Sequence, residues 1–495
     1  MNKIILVFIL LLFVFSLVAE EKISFSGINE FEYIYRNRKI EYRNYFSDKL
    51  TLQMQYKIFR SGLKYDLYHP KHDKFLDIDN IVNEDEIPVF LDNNEKNENY
   101  FDEYFLQIEN DNFFVNFGTF DAVIGSGIVT HNYYDEDFNE DHRLTGIYEQ
   151  TTFDKLMLQI FYGTMKNKND EDKKDKITAL DIEYDVLGNL TTGFAYLMHL
   201  RNQEDLDEKN EYSQRDILSG RLNYQHELFD ISCEYAESNE YDRYDDRKID
   251  GRAFYSNLTT YLDKFTVIGA YKNYLNFDSE ISDLPTANHS EESLYDNWEP
   301  GLDEEGIMGE IQFVPNFENE FILNYAEGWS SDFKVRQSDF YSEFKHDFEK
   351  ISLKAEYSQL EQMNKSFKNW KKEITPVLSA DFMIGQFPIL IKAEYQYKEK
   401  VQGTEIKSHY EPKLQTDVSY NDYSFSLTVE NQVGESEDGE DGELWIGGEL
   451  AVTVFGSTDI RIFGGKEKGG KVCRNGVCRY QSEFEGVRIE ITTSF

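Results

Sequence analysis

The stretch GVRIEITTSF, residues 486–495, ends the chain and decides which fold the rest of it can adopt. Its apolar and aromatic side chains recur at every second position, at Val487, Ile489, Ile491 and Phe495. The positions between them are polar and begin with Arg488 and Glu490. A period of two is the pattern of a β-strand with one apolar and one polar face. The sequence therefore predicts a terminal strand that separates two different environments.

The first residues have the order of a secretory signal peptide. Lys3 precedes an apolar run over residues 4–18, and Ala19 follows it directly before two glutamates. An uncleaved membrane anchor is the alternative, because Leu17 is large for its position before the cut. The run is short for a spanning helix, which needs about 20 residues, so we expect a signal peptide over residues 1–19. No later stretch is long and apolar enough, so any membrane insertion must use strands.

The mature chain, residues 20–495, is predicted to be all-β and to form one antiparallel transmembrane β-barrel without a plug domain. We expect the strand that begins near Lys22 to pair with residues 486–495 and close the barrel. Only 8 Pro are present, as expected where most of the backbone lies in hydrogen-bonded ladders. The 34 Tyr and 38 Phe suit aromatic girdles at two membrane interfaces. Short turns alternate with longer polar connections and predict about 24 strands, in a range of roughly 22 to 26. The predicted turns include residues 59–62, 228–230, 263–264, 385–386 and 421–422, and the predicted surface loops include residues 71–98, 130–142, 167–176, 203–214, 241–251 and 279–304. A soluble propeller or solenoid is the alternative, but no repeat of fixed length supports it.

The polar positions of the alternating stretches predict which side chains line the interior of the barrel. In FPILIKAEYQYK, residues 387–398, apolar side chains alternate with polar ones, and ISLKAEYS, residues 351–358, repeats the pattern. The predicted lumen-lining residues are Lys354, Glu356, Lys392, Glu394, Lys398, Arg488, Glu490, Asp181, Glu183 and Asp185. The alternation blurs in FTVIGAYKNY, residues 265–274, where we expect the interior face to meet a packed loop instead of water.

The long connections are rich in acidic residues, and the net charge of −42 argues against a nucleic-acid partner. Solvated loops are the simplest explanation of such runs, and loosely bound Ca²⁺ or Mg²⁺ between surface loops is the alternative. The run from Asp135 to Asn139 lacks the glycine and the glutamate of an EF-hand loop. Residues 71–98 are half apolar, so we expect them to pack on the inner wall or on a neighbouring loop.

Two of the three cysteines flank a turn. Cys473 and Cys478 enclose Arg474-Asn475-Gly476-Val477, and Asn-Gly is a strong signal for a two-residue hairpin turn. The two cysteines then stand opposite each other as a non-hydrogen-bonded pair, which favours a disulfide in an oxidising compartment. A metal site is the weaker interpretation. Cys233 has no partner and is predicted to be a buried or lipid-facing thiol.

Gly125, Ser126 and Gly127 form a separate short motif. The glycines predict a bulge or a close backbone approach late in a strand. A catalytic serine is the alternative, but the Gly-x-Ser-x-Gly spacing and an identifiable histidine are missing.

The terminal strand and two longer stretches of the sequence resemble known proteins. The terminal strand, with its aromatic end, resembles the recognition strand of bacterial outer-membrane barrels. Residues 469–489 resemble the C-terminal signature of an uncharacterised family of such barrels, with Gly-Gly, two Cys around a Gly turn, Arg and Phe-x-Gly. Residues 116–146 are similar to the family's N-terminal pattern, while Ser482 stands where the pattern has Pro. The resemblance implies the barrel fold and the outer membrane, and it implies no substrate.

We therefore expect a passive channel or a substrate-binding, porin-like barrel, which is not an enzyme and carries no cofactor. The alternative is a structural or docking barrel that holds envelope partner proteins. The expected contacts are outer-membrane lipids, lipopolysaccharide and, during biogenesis, the barrel-assembly machinery. Carboxylates along a water-filled path would make a channel modestly cation-selective.

Overall fold

A computed structural model describes residues 23–37, 44–69, 98–135, 140–167, 170–204, 210–242, 247–277, 281–289, 301–333, 335–364, 369–402, 405–434, 442–474, 477–481 and 483–495. Within these ranges every regular element is a β-strand. No helix in them is long and apolar enough to cross a membrane.

The strands follow one another closely along the chain. In the first half they are β1 (Ser24–Arg36), β2 (Asn44–Tyr56), β3 (Phe59–His69), β4 (Glu98–Glu109), β5 (Phe113–Phe120), β6 (Ala122–Ile124), β7 (Thr130–Asn132), β8 (Tyr134–Asp135), β9 (Glu140–Asp141), β10 (Leu144–Phe153), β11 (Leu156–Asn167), β12 (Asp170–Asp185), β13 (Leu190–Glu204), β14 (Asn210–His226), β15 (Phe229–Asp242), β16 (Arg247–Leu262) and β17 (Phe265–Leu275). In the second half they are β18 (Asp303–Asn316), β19 (Asn319–Trp329), β20 (Arg336–Asp347), β21 (Ile351–Asn364), β22 (Asn369–Ile384), β23 (Phe387–Gln402), β24 (Glu405–Tyr420), β25 (Tyr423–Asn431), β26 (Leu444–Val454), β27 (Thr458–Glu467), β28 (Gly470–Arg474), β29 (Val477–Gln481) and β30 (Phe484–Ser494).

The long strands form a single closed barrel, because the 24-stranded sheet joins its first strand to its last. β1 pairs with β2 on one side and with β30 on the other, and all pairings are antiparallel. At the seam, the Gly27 amide donates to the Phe495 carbonyl at 2.8 Å, and the Phe495 amide donates back at 3.0 Å. The predicted strand number and the predicted pairing of the two chain ends are both confirmed. The expectation that no plug domain is present stays a prediction.

Short turns lie at one end of the barrel and the longer connections at the other. Residues 263–264, 385–386 and 421–422 are turns where the sequence predicts them. Asp263, Gly385 and Asn421 have positive φ there, which these residue types tolerate well. Other predicted boundaries are wrong by a few residues, because residues 59–62 belong to β3 and 229–230 to β15.

The predicted long connections include residues that the structure places in strands. The acidic run from Asp170 belongs to β12, and β14 and β16 begin earlier than their sequences predict. Charged side chains do not interrupt a ladder whose backbone groups are already paired, and the strands therefore continue through these polar segments. Residues 71–98 lie almost wholly outside the described residues, and so does most of the Asp135–Asn139 run.

The exterior of the barrel is apolar. Large side chains on the outer face are exposed, among them Leu323 and Leu414 at 49 % and Ile446 at 47 %. In β30, Val487 is exposed, Ile489 and Ile491 are half-buried, and Arg488 is buried on the opposite, lumenal face. Phe495, directly after β30, is also exposed. This is the surface of a transmembrane β-barrel, in which apolar residues face lipid and alternate with lumenal ones.

The cysteine hairpin extends from the barrel between β27 and β30. Cys473 pairs in register with Cys478, and Arg474 pairs with Val477, as the hairpin prediction requires. The cysteine side chains lie outside the described residues, so the disulfide stays a prediction. Cys233 is a free thiol in β15 and is half-buried.

Candidate functional site in the lumen

Two segments leave the barrel wall and fold inside it. Residues 121–132 form the β6–β7 hairpin, and residues 281–289 belong to the connection between β17 and β18. We call these two segments together the lumenal insert. They contact each other directly, because the His131 amide and the Thr130 hydroxyl both donate to the Ile281 carbonyl at 2.9 Å. The sequence prediction of surface loops over residues 130–142 and 279–304 is wrong for these parts, whose apolar side chains pack inward.

The insert packs against one arc of the lumen, the lumenal face of β11–β17, which we call the packed wall. The buried cluster consists of Phe120, Ala122, Ile124, Ile128, Val129, Leu144, Phe161, Met165, Ile177, Ala179, Ala195, Leu197, Ile217, Ala236, Ala253, Tyr274, Phe277, Ile281 and Leu284. Small side chains such as Ala195, Ala236 and Ala253 let the insert approach the strands. The packed loop expected over residues 265–274 is confirmed, since the Tyr274 hydroxyl donates to the Pro285 carbonyl at 2.8 Å.

The tip of the hairpin is anchored to the wall by a carboxylate. The backbone amide and hydroxyl of Ser126 donate to Glu234 at 2.8 and 2.7 Å, and the Ser219 hydroxyl donates to the same side chain at 2.7 Å. Gly125 has a φ of 63°, and a Cβ there would lie 2.4 Å from Glu234. The motif is therefore the turn of an inserted hairpin, which corrects the prediction of a bulge late in a strand. The close backbone approach is confirmed.

His289, at the end of the described insert, contacts the next strands of the barrel. Its Nδ1 lies 2.8 Å from Glu310, and its ring stacks on Tyr341 with centroids 4.0 Å apart. The hydrogen bond with Glu310 raises the pKa of His289 above its ordinary value. This contact therefore ties the insert to β18 and β20 most strongly when the imidazole is protonated.

A recess of the lumen lies beside the insert and has a volume of about 730 Å³. We call it the first cavity. Its lining consists of Ile28, Glu30, Thr51, Lys64, Glu103, Phe105, Gln107, Phe114, Asn116, Thr119, Phe120, Asp121, Tyr134, Arg143, Tyr148, Gln150 and Thr492. These residues come from β1–β5, β10 and β30, and from Asp121, Tyr134 and Arg143 between β5 and β10. The cavity therefore exists only when the barrel is closed and these three residues lie inside it.

The two cations of the first cavity are already bonded to carboxylates. Lys64 lies 3.1 Å from Asp102. Arg143 lies 2.8 Å from Asp141, 2.9 Å from Glu103 and 3.1 Å from Asp102. Sequence analysis missed this cluster, because its members are charged residues without a motif and meet only after the barrel closes.

The lumenal face of β20–β27, which we call the open wall, carries long charged side chains. Lys354 lies 3.0 Å from both Glu343 and Glu356, and its side chain is 36 % exposed. Lys392 lies 3.8 Å from Glu394 and is 40 % exposed. A second cavity of about 270 Å³ is lined by Glu394, Gln396, Lys398, Lys413, Gln415, Thr428, Glu430, Trp445, Gly447, Lys466, Glu467, Lys468 and Gly469.

The other predicted lumenal residues lie in three places. Asp181 and Glu183 bind Arg221 at 2.6 and 2.7 Å, beneath the insert. Asp185 lies at the short-turn rim, where it accepts a hydrogen bond from the Gly188 amide. Arg488 lies 3.4 Å from Glu467 and 3.2 Å from Glu490 beside the seam, while Lys398 lies 3.0 Å from Glu411 on the open wall. The predicted set is therefore distributed around the lumen and does not form one site.

The described residues contain no group of three or more His, Cys, Asp or Glu side chains placed to hold a metal ion. Ser126, the one nucleophile considered from the sequence, donates its hydroxyl to Glu234. Glu234 itself was not predicted, since 108 residues separate it from Ser126. The only available signal was the Gly-Ser-Gly motif, which predicts a close approach and not its partner.

The fold defines the chain as a closed, 24-stranded transmembrane-type β-barrel. It belongs to the family of unknown function DUF6029, whose model matches residues 1–327. The uncharacterised family suggested by the sequence is thereby shown. No curated protein matches the chain.

Solved structures with similar folds are outer-membrane proteins. The siderophore receptor PirA from Pseudomonas aeruginosa is 9 % identical, with 96 % of this chain and 80 % of that chain covered and a TM-score of 0.49. The translocation pore of the P pilus usher PapC is 9 % identical, with 95 % and 99 % covered and a TM-score of 0.44. OccK11 (OpdR) from Pseudomonas aeruginosa is 11 % identical, with 70 % and 91 % covered and a TM-score of 0.39. At this level of likeness they add nothing about function.

Proposed function

We propose that the protein is an outer-membrane β-barrel that acts as a passive channel for small hydrophilic solutes, with its conducting path along the open wall. The observation that carries the proposal is the exposure of charged side chains inside a closed barrel. Lys354 and Lys392 remain more than a third exposed although they point into the lumen. Charged side chains keep such exposure only in contact with water, so they support a hydrated path.

The exterior supports the membrane location. Apolar side chains cover the outer face of the strands, while the turns are short at one end and the connections longer at the other. Bacterial outer-membrane barrels have short periplasmic turns and longer external loops. The proposal therefore assigns the turn at residues 421–422 and both strand ends at the seam to the periplasmic side. The exterior would contact outer-membrane lipids, including lipopolysaccharide on the outside.

The path should favour cations. Two lumenal cations are each held by two carboxylates, Lys354 by Glu343 and Glu356, and Arg488 by Glu467 and Glu490. The surplus of negative charge in these groups would raise the occupancy of cations in the path.

A docking barrel that serves as a scaffold for envelope proteins is the second candidate. It is favoured by the lumenal insert, because an apolar core against the packed wall is a rigid filling that a wide pore does not need. In either case we propose that the protein is not an enzyme, since Ser126 serves as a hairpin anchor.

Conductance of the purified mature protein in planar bilayers tests the channel proposal. The path is mapped by cysteine substitution in a Cys233→Ser background, followed by a bulky, water-soluble thiol reagent. Gln396→Cys places the thiol at the second cavity, and Tyr395→Cys places it one residue away on the exposed outer face. We expect the reagent to lower the conductance of Gln396→Cys and to leave that of Tyr395→Cys unchanged.

A protein that inserts into the bilayer without any conductance would overturn the channel and leave the docking barrel. Equal block of both variants would show that the path does not follow the open wall.

A further inference from the structure

In the first cavity, the cationic side chains have ion-pair partners, while two acidic side chains have none among the described residues. Its cations, Lys64 and Arg143, are bonded to carboxylates as described above. Glu30 and Asp121 also line it, and neither side chain makes an ion pair or hydrogen bond with the described residues. Lys49 stands opposite Glu30 in β2 but does not form an ion pair with it. The charges still available in the cavity for a ligand are therefore negative.

Asp121 lies at the point where the chain leaves β5 and turns into the lumen. Burial there raises the pKa of its carboxyl above the ordinary value. The side chain is nevertheless exposed to the lumen, and the charge of Arg143 opposes the shift while those of Glu103 and Asp141 add to it. A bound cation would favour the ionised carboxylate further, because it adds positive charge beside a side chain that makes no ion pair of its own with the described residues.

Aromatic rings form the side of the cavity next to Asp121. Phe120 and Phe114 both pack on Tyr148, with ring centroids 5.6 and 5.7 Å from it. Asn116, between them in β5, is only 2 % exposed, and its Oδ1 has no hydrogen-bond partner. Aromatic faces attract cations and also cover hydrocarbon, while a buried amide oxygen without a partner accepts an N–H donor.

We propose that the first cavity binds a small organic cation, whose ammonium group lies near Asp121 and Glu30 and whose hydrocarbon part lies against Phe114 and Tyr148. The proposal rests on the channel function and names the solute class for which the barrel has a binding site. The cavity volume of about 730 Å³ lies within the range of small-molecule sites, roughly 300–1,000 Å³.

An anionic ligand fits the cavity poorly, because each cation of the lining is already matched by at least one carboxylate. A neutral polyhydroxylated solute could use the amides of Gln107 and Gln150, but it would leave the two carboxylates without counter-charge. A comparison of a cationic solute with a neutral one therefore distinguishes the proposal from its main alternative.

Isothermal titration calorimetry on the purified, detergent-solubilised mature protein tests the proposal. Spermidine is the cationic probe, tetraethylammonium tests attraction by charge and rings without N–H donors, and sorbitol is the neutral probe. We expect spermidine to bind, tetraethylammonium to bind more weakly and sorbitol not to bind. Spermidine binding should weaken as salt rises from 0.01 to 1 M, because the Debye length falls from about 30 to about 3 Å.

Asp121→Asn should weaken spermidine binding roughly tenfold, since a hydrogen bond to a charged group contributes about 1.5 kcal/mol. The matched control is Asp154→Asn at the β10–β11 turn, outside the cavity, where a φ of 52° also suits asparagine. Glu30→Gln is the second variant if Asp121→Asn does not fold. Heat-modifiable migration on gels verifies folding of each variant.

Absence of spermidine binding, or equal binding by Asp121→Asn and wild type, would overturn the proposal. So would sorbitol binding as tightly as spermidine. Calorimetry in micelles does not require conductance, so spermidine binding without a bilayer current would overturn the channel alone. A current without spermidine binding would overturn the binding site alone.

Discussion

The packed wall and the open wall consist of the same kind of strand. Their lumenal side chains differ, because small apolar ones are buried on the packed wall and two lysines are partly exposed on the open wall. Ala236 and Ala253 on the packed wall are fully buried under the lumenal insert. Lys354 and Lys392 occupy equivalent lumenal positions on the open wall and are partly exposed. Small apolar side chains allow a loop to fold against the strand and exclude water, while long charged side chains hold water and each other. The lumenal side chains of each strand therefore decide whether a loop fills that arc of the barrel.

The most direct test of this difference is to place the same acidic side chain on each of the two walls. Ala253→Asp places a carboxylate between Ala236 and Tyr274, where the neighbouring cation, Lys272, is already bonded to Glu304. The matched change on the open wall is Ser379→Asp, since Ser379 stands between Lys354 and Lys392. We expect Ala253→Asp to lower stability by several kcal/mol, because a buried charge without a partner is strongly destabilising. Urea titration of the heat-modifiable band should show no loss for Ser379→Asp.

If both aspartates were tolerated equally, the lumen beside Ala253 would contain water, and the packed core would not persist in solution.

A second change removes packing without adding charge. Phe277 follows β17 and is fully buried in the cluster that holds the insert, and Phe277→Ala should cost about 3–5 kcal/mol of local stability, through lost burial and the cavity left behind. The barrel ladder should survive, because its backbone hydrogen bonds are untouched. Limited proteolysis should then cleave the insert while the barrel band remains intact, and the bilayer conductance should rise. Cleavage as slow as in the wild type would show that the insert does not depend on this core.

A third prediction concerns the attachment of the insert by His289. Its pKa is raised in the folded protein, so the contact with Glu310 contributes fully below the unfolded value of about 6.5 and is lost as pH rises through the folded value. Hydrogen exchange of residues 281–289 should therefore accelerate, beyond its intrinsic pH dependence, as pH rises above about 6.5. Asp339 and Glu343 on β20 also favour the protonated form and should keep the effect in the same direction.

His289→Gln should remove this pH dependence. Persistence of the effect in that variant would assign it to another group.

The smallest expected effect lies on the open wall. Lys354→Gln removes a cation that lies between two carboxylates, so the cation preference of the conductance should increase modestly. Reversal potentials under a KCl gradient measure the change, which should fade at high salt because the Debye length shortens. A shift toward anions would show that Lys354 does not face the conducting path.

Much of the fold could be predicted from the sequence because strand alternation and turns are local. The period of two in residues 387–398 predicts one strand, and Asp263 with Lys264 predicts one turn, without reference to any other part of the chain. Summed along the chain, such signals lead to 24 strands, and the apolar end at Phe495 predicts the closing pair. The predicted strand ends are wrong by a few residues at turns such as residues 57–58. There Lys57 adopts a positive φ without a Gly, Asn or Asp that would mark the turn in the sequence.

The sequence by itself thus determined the barrel, because each strand's two faces are encoded within a few consecutive residues. Only the tertiary structure decided what fills the lumen. Ser126 and Glu234 are 108 residues apart, Thr130 and Ile281 are 151 apart, and the first cavity joins Glu30 to Asp121 and Thr492. No local periodicity relates such residues. They meet because closing the barrel brings distant lumenal faces together, and the size and charge of those faces then decide whether loops or water occupy the space.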